Sequence, residues 1–452
     1  LAASFGGVAM AWADTGGPRI GTWLVSCGGF VLQRPCNGLA GVELMVLPVL
    51  SCCPEAPQLA AEALLDHFAA KRWVQLVPQS GGSVLKSPDL EMPPGPGVVV
   101  ASGGSSGQPR LCLQPRQHLQ RSAEATAEWL IDLGISPEQS VVFNPLPFHH
   151  VSGLMPWWRS RVWGASHVWV SPERMKQPAD LLHFSEHQPG WREKAALLSL
   201  VPTQLARLIE PHAGRIWLQQ FSVIWVGGAA LSDELAHRAR SLGLRLSPCY
   251  GATETTAMVT AMAPEAFLAG EPGCGSPLKD VELKQNSDGA LQVRTSRLAV
   301  GCWSADQPNR LISLTDAAGW WTSGDSALFE SAQSGTRLLI QGRLDGAVLS
   351  GGEVVFPQRL EQRLWRAAQS HGLPLRAVLI VGIPDPVWGQ QLVALVRASE
   401  PKELGELLAV LTKLSVDWSA AEQPKRWLGC DDLDLSAAGK WDRNYWCSWA
   451  SK

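Results

Sequence analysis

Tyrosine is almost missing from this chain: two in 452 residues, against 21 tryptophans and 10 phenylalanines. Aromatic bulk must therefore come mostly from indole rings. A tryptophan-rich core or a lineage bias accounts for that, and an aromatic-acid pocket or a partner surface is the other use for such rings. An excess of either charge is also missing. The formal net charge of −3 favours neither nucleic acid nor an anionic membrane as partner. No apolar run reaches the roughly 18 residues of a membrane span; the nearest, 42–50, is too short. Residues 8–13 are apolar, but no basic segment precedes them, which argues against a signal peptide. The ten cysteines are scattered and none has C-x-x-C spacing. That argues against a zinc site and a disulfide framework, and predicts reduced thiols in a cytoplasmic protein. There is no internal repeat and no low-complexity linker.

What is present is length and alternation. A chain of 452 residues is too long for one simple core and suggests two or three domains. Strand and helix signals alternate, which reads as α/β. The apolar run in 97–101 enters a Gly/Ser cluster as a strand enters a loop. Residues 117–133 have helical periodicity and stop at Gly134 and Pro137. Short buried strands are expected at 141–145 and 221–226. A helix is expected over 232–242 with Ser232 as N-cap. Ser287-Asp288-Gly289 between 281–284 and 290–294 reads as a hairpin. A further helix is expected from Pro357 to about Ser370. The best boundary lies at 343–346.

Five short segments carry chemistry. Ser102-Gly103-Gly104-Ser105-Ser106-Gly107-Gln108-Pro109-Arg110 follows a strand. Its glycines let backbone N–H groups turn toward an anion, its serines add donors and Arg110 adds charge. It is not the G-x-x-x-x-G-K-[ST] loop, and alone it is a flexible turn. Tyr250-Gly251-Ala252-Thr253-Glu254 offers a carboxylate of the kind a hard Mg²⁺ needs and a hydroxyl for a phosphate oxygen; alone it is a capped loop. Thr322-Ser323-Gly324-Asp325 offers a short carboxylate that can accept two donors, or a plain turn. Val348-Leu349-Ser350-Gly351-Gly352-Glu353 is a strand entering a glycine pair, without side chains to block a narrow tunnel. Ala438-Gly439-Lys440 places a lysine near the end, where a solvated charge is ordinary.

In this order the segments resemble the ANL superfamily of adenylate-forming enzymes, from about Val98 to the last residue. That resemblance implies an α/β fold: a large N-terminal domain of stacked sheets and helices, 1–344, and a small mobile C-terminal α+β domain, 346–452, with a hinge near Asp345. It implies ATP, Mg²⁺ and coenzyme A as cofactor or co-substrates. The implied roles follow residue by residue. Ser102, Gly103, Gly104, Ser105, Ser106, Gly107 and Arg110 hold phosphates; Tyr250 stacks near the adenine, with Gly228, Ala229 and Gly251 also binding the cofactor; Asp325 and Arg343 hold the ribose. Thr253 binds phosphate, Glu254 is the metal ligand, and Gly351 and Gly352 line the pantetheine tunnel. Lys440 is the late catalytic lysine, holding the acid's carboxylate and the α-phosphate. The family's loop usually ends in lysine, where this chain has Arg110.

His149 and His150 form an adjacent pair without a third metal ligand. On one strand they would point apart, and a packed aromatic wall is the plain alternative. His150-Val151-Ser152-Gly153, with Ser350-Gly351-Gly352-Glu353 running on to Phe356-Pro357, resembles the o-succinylbenzoate:CoA ligases of menaquinone and phylloquinone synthesis. The resemblance places His150 near the acyl pocket. Arg159, on the helix that follows, would then meet a second carboxylate or lie on the surface. Other acyl-CoA synthetases, carrier-loading adenylation enzymes and a non-catalytic nucleotide-binding protein stay open. A small carboxylic acid, ATP and CoA are the expected partners, with no nucleic acid and no membrane span; a homo-oligomer is not barred.

Overall fold

The computed structural model describes residues 47–81, 92–102, 110–304, 310–332, 335–434 and 441–452. Four sheets organise them. The largest has seven strands. Ser166–Trp169, Ser140–Asn144, Ala195–Leu200, Val223–Val226 and Leu246–Ala252 are parallel neighbours in that order, and Ala257–Ala261 and Ser276–Pro277 add antiparallel edges. The central parallel strands Ala195–Leu200 and Val223–Val226 are almost wholly apolar because both faces are covered. On one face Phe143, Leu198, Trp217, Phe221 and Ile224 form one cluster. On the other, Val142, Leu197, Trp225, Trp163 and Met258 belong to a second.

Tryptophan serves this core. Phe143 meets the rings of Trp191 and Phe221 edge-on at 4.9 and 5.4 Å. Trp217, fully buried, donates its Nε1–H to Ser185 Oγ at 2.8 Å. Edge-to-face packing with the N–H satisfied is the geometry that makes buried indoles favourable.

A five-stranded sheet holds Val49–Cys52, Trp73–Pro78, Gly97–Ala101, Leu111–Pro115 and Cys302–Trp303. A four-stranded antiparallel sheet holds Glu282–Gln285, Ala290–Arg294, Trp321–Ala332 and Gly335–Arg343. The last sheet is built from Val348–Ser350, Glu353–Val355, Leu375–Asp385, Gly389–Ala398 and Arg426–Gly429. Two hydrophobic clusters associated with it draw their buried residues only from Val348 onward.

Local signals held well. The strand Gly97–Ala101 and the helix Pro357–Ser370 stand where expected, and Arg116–Asp132 begins one residue early. Ser232 caps Asp233–Ser241, its hydroxyl accepting from Leu235 N at 3.2 Å. The hairpin starts at Glu282 rather than 281, and the strand expected from 221 starts at Val223. Phe221 instead packs its ring in the core below that strand.

Candidate active site

The site residues come from the ends of strands in these sheets and from the loops that follow them. Gly97–Ala101 delivers Ser102, buried, and Leu111–Pro115 departs just after Arg110, exposed. Ser102 N donates to Arg110 O at 2.7 Å, which closes the neck of the loop. Gly103, Gly104, Ser105, Ser106 and Gly107 lie outside the described residues, as does Lys440. Beside Arg110 a cleft of about 440 Å³ is lined also by Cys302, Ser304, Asp316, Trp320 and Thr322. That volume suits a small-molecule ligand.

The strand Leu246–Ala252 brings in Tyr250 and runs into the turn bearing Thr253 and Glu254. Burial raises the Glu254 carboxyl above its ordinary range; the charges of Arg110 and Arg343 pull it back and that of Asp325 pushes it up. Charges from the loop end at Arg110 and from the Asp325–Arg343 strand pair thus reach Glu254. The Tyr250 hydroxyl donates to Asp325 Oδ2 at 2.6 Å. Burial and that carboxylate hold the phenol well above its usual value.

Asp325 and Arg343 are paired across the strands Trp321–Ala332 and Gly335–Arg343. Arg343 Nη1 is 3.6 Å from Asp325 Oδ1, while its Nε and Nη2 donate to Asp345 at 3.1 and 2.8 Å. A methyl on Gly324 would come within 2.5 Å of Arg343 Nη2, so only glycine lets the guanidinium lie across this turn. Asp345 sits in the 3₁₀ turn Leu344–Gly346.

Chemically, the set offers a half-buried carboxylate, Glu254, within reach of two cations, Arg110 and Arg343, and of the Asp325 carboxylate. Among the described residues no three His, Cys, Asp or Glu gather in a metal cage. Magnesium does not need one: it is ordinarily held by one or two carboxylates together with substrate phosphates. Glu254 fits that use.

The backbone at this turn is strained. Thr256 and Ala257 have φ of 53° and 77°, a left-handed conformation that costs a non-glycine residue about 1 kcal/mol or more. Arg297, Gln114 and Ala299 help hold the turn through its carbonyls. These residues were not foreseen. Nothing in Thr295-Ser296-Arg297 distinguishes a buried arginine from a surface one.

Gly228 and Ala229 are exposed just past the strand Val223–Val226, with Gly228 at φ 79°. The Ser350-Gly351-Gly352-Glu353 turn joins two antiparallel strands, with φ of 59° and 85° at its glycines. Paired positive φ values are what a two-residue hairpin requires. Trp388 lies against Gly351, where a methyl would meet its ring at 2.7 Å.

The histidine pair is corrected. It is not on a strand and does not point apart: His150 is the N-cap residue of the helix Val151–Trp163, and the two rings are 4.2 Å between centroids. Burial, with the neighbouring His150 charge, depresses His149 to about 4. The surface alternative for Arg159 is also overturned. It lies on that helix, only 4% exposed, with its guanidinium 5.6 Å from the centre of the Trp225 ring. Its Nε and Nη2 meet no acceptor among the described residues. Burial holds it down at about 10. Ser247, the sheet neighbour of Trp225, is likewise buried without a partner for its hydroxyl.

Comparison with known proteins agrees with this fold. The 2-succinylbenzoate–CoA ligase of Escherichia coli K12 is 29% identical over 394 residues, 84% of this chain and 77% of that protein. The structure of wild-type E. coli MenE with a bound phenylether-linked analogue of OSB-AMS superposes with a TM-score of 0.56 at 25% identity, covering 89% of this chain and 82% of that one. Bacillus subtilis o-succinylbenzoate coenzyme A synthetase, solved with ATP and magnesium ion, has the same fold, with a TM-score of 0.61 at 20% identity over 85% and 81% of the two chains. The model of the AMP-binding enzymes matches residues 55–294, more than half of the chain, and the chain therefore belongs to the AMP-binding enzyme family, that of the AMP-forming acid–thiol ligases.

Proposed function

We propose that this chain makes an acyl-adenylate and then a coenzyme A thioester, with 2-succinylbenzoate as its acid. Arg159 carries the choice of acid. A buried cation with two unmatched N–H groups is costly unless an anion completes it. No carboxylate of the described residues pairs with it. A substrate with two carboxylates would leave one for the reaction and one for Arg159. The relatives named above support the same acid.

In the first step a carboxylate oxygen attacks the α-phosphorus of ATP and pyrophosphate leaves. Arg110 and the 102–110 loop would hold the outer phosphates, Thr253 a phosphate oxygen, Asp325 and Arg343 the ribose, and Lys440 the reacting oxygens. Magnesium, when bound to Glu254, would offset phosphate charge. Catalysis on this reading is positioning and charge neutralisation. In the second step the CoA thiol, losing its proton, attacks the adenylate carbonyl and AMP leaves. We assign 1–344 and 346–452 to two domains, with Asp345 the hinge about which Gly351 and Gly352 would approach the site. The separate apolar clusters beyond Val348 support the division.

The test is pyrophosphate release from ATP with 2-succinylbenzoate, with and without CoA, against benzoate and a medium-chain fatty acid. Release with 2-succinylbenzoate alone, plus a CoA thioester, is expected. Release with a different acid would discard the assigned substrate. A Lys440→Ala variant should lose adenylation yet still form thioester from supplied adenylate; equal loss in both would remove its assigned role.

A further inference from the structure

The turn that bears Thr253 and Glu254 is held by side chains to which the reaction above gives no task. Six successive carbonyls each have a donor. Thr253 O accepts from Gln114 Nε2. Glu254 O accepts from Ala299 N at 2.8 Å. Thr255 O and Met258 O accept from the two Nη atoms of Arg297 at 2.8 and 2.9 Å. Thr256 O accepts from Ser122 Oγ at 2.7 Å, and Ala257 O from Thr255 Oγ1 at 2.6 Å. Arg297 is fully buried, and its Nε donates to Asp280 Oδ2 at 2.7 Å.

This wiring has a reason in the backbone. Thr256 and Ala257, two and three residues after Glu254, occupy the left-handed region. Such a conformation persists only where its surroundings over-determine it. The two Arg297 bonds span the two strained residues, gripping the carbonyl before Thr256 and the one after Ala257. A lysine could not do the same. Its three donors leave one point, whereas the planar guanidinium fork meets two carbonyls and a carboxylate together. Asp280 neutralises the charge, so the fork can be buried without a ligand.

We infer that Arg297, supported by Asp280, is a positioning residue for adenylation: it holds the strained turn that presents Glu254 to magnesium and Thr253 to phosphate. The inference rests on the assignment of Glu254 and Thr253 proposed above. Arg297 itself touches no reacting atom. Removing it should leave the chemistry's groups in place but imprecisely set, as for supporting residues around other metal sites, where losses are about 10- to 100-fold.

The test compares wild type, Arg297→Met, Arg297→Lys and Glu254→Gln. Calorimetry measures ATP affinity with magnesium and with EDTA, and thermal unfolding is followed in parallel. Magnesium should strengthen ATP binding in wild type. Arg297→Met should reduce that enhancement about 10- to 100-fold while changing affinity in EDTA little, with Arg297→Lys between the two. An unchanged enhancement in folded Arg297→Met would overturn the inference. So would a drop of equal size with and without magnesium, the mark of general loosening. If Arg297→Met does not fold, Asp280→Asn serves instead: a smaller loss in the same direction is expected, and no loss overturns the inference. Glu254→Gln separates the two levels. If it keeps the wild-type enhancement, the Glu254 assignment falls; if it loses the enhancement and Arg297→Met does not, only the role of Arg297 falls.

Discussion

Two buried arginines, Arg159 and Arg297, lie in the same half of the molecule and are used in opposite ways. Arg297 is fully matched: a carboxylate and two carbonyls take its donors. Arg159 has an aromatic face over it and two nitrogens without an acceptor among the described residues. A protein that gains only stability from a buried charge matches it internally, because an unmatched one is expensive. On the function proposed above, the contrast separates scaffold from binding site. Arg297 is complete without ligand, and on the inference above it serves chemistry common to any acid. The Arg159 end is left incomplete, as a group kept for a particular acid would be.

That contrast can be broken at several points. Glu254→Gln should have the largest effect, about 100-fold or more on pyrophosphate exchange with every acid, and should not lower the thermal midpoint. The sign follows from burial. Glu254 is raised in the folded state, so its stabilising contribution is present at low pH and lost as pH rises through the folded value. Near neutrality the ionised carboxyl costs stability, and glutamine removes that cost. A large drop in midpoint without loss of exchange would reverse the assignment of scaffold and site here.

The same shift predicts a pH dependence of intermediate size. As pH falls, the magnesium concentration for half-maximal exchange should begin to climb above the range of an ordinary carboxylate, because the raised carboxyl takes up its proton early. A magnesium requirement that stays flat until well into the acid range would contradict it. At the small end, Ser232→Ala removes an N-cap hydroxyl that bonds to neither arginine. It should cost about 1 kcal/mol in denaturant unfolding and leave the KM for ATP and for the acid unchanged. A changed KM would mean that the two ends are coupled through the central sheet.

The ends also differ in how far they were legible. Tyr250, Glu254, Asp325 and Arg343 stand in short strings whose order resembles a known family, and the fold brings them into mutual electrostatic reach. Secondary structure followed local rules at Gly97–Ala101, Asp233–Ser241 and Pro357–Ser370, where apolar period, cap and proline agree. Arg297 was invisible because burial of an arginine depends on residues far away in sequence: Asp280 beside it, and the carbonyls of Thr255 in the turn and Met258 in the strand Ala257–Ala261. Arg159 was half-visible. Its place after His150-Val151-Ser152-Gly153 hinted at the pocket, but its burial depends on how the helix Val151–Trp163 sits against Trp225. The histidine pair was misjudged because a turn into a helix, not a strand, follows Pro147.

The most direct measurement is the kcat/KM for pyrophosphate release in wild type and Arg159→Leu, with 2-succinylbenzoate and with the two monocarboxylic acids that lack one or the other of its carboxylates. Wild type should favour the diacid, and Arg159→Leu should erase about 10- to 100-fold of that preference, the worth of a hydrogen-bonded charge pair, without lowering the thermal midpoint. An unchanged preference in Arg159→Leu would contradict the assignment of Arg159 to the second carboxylate.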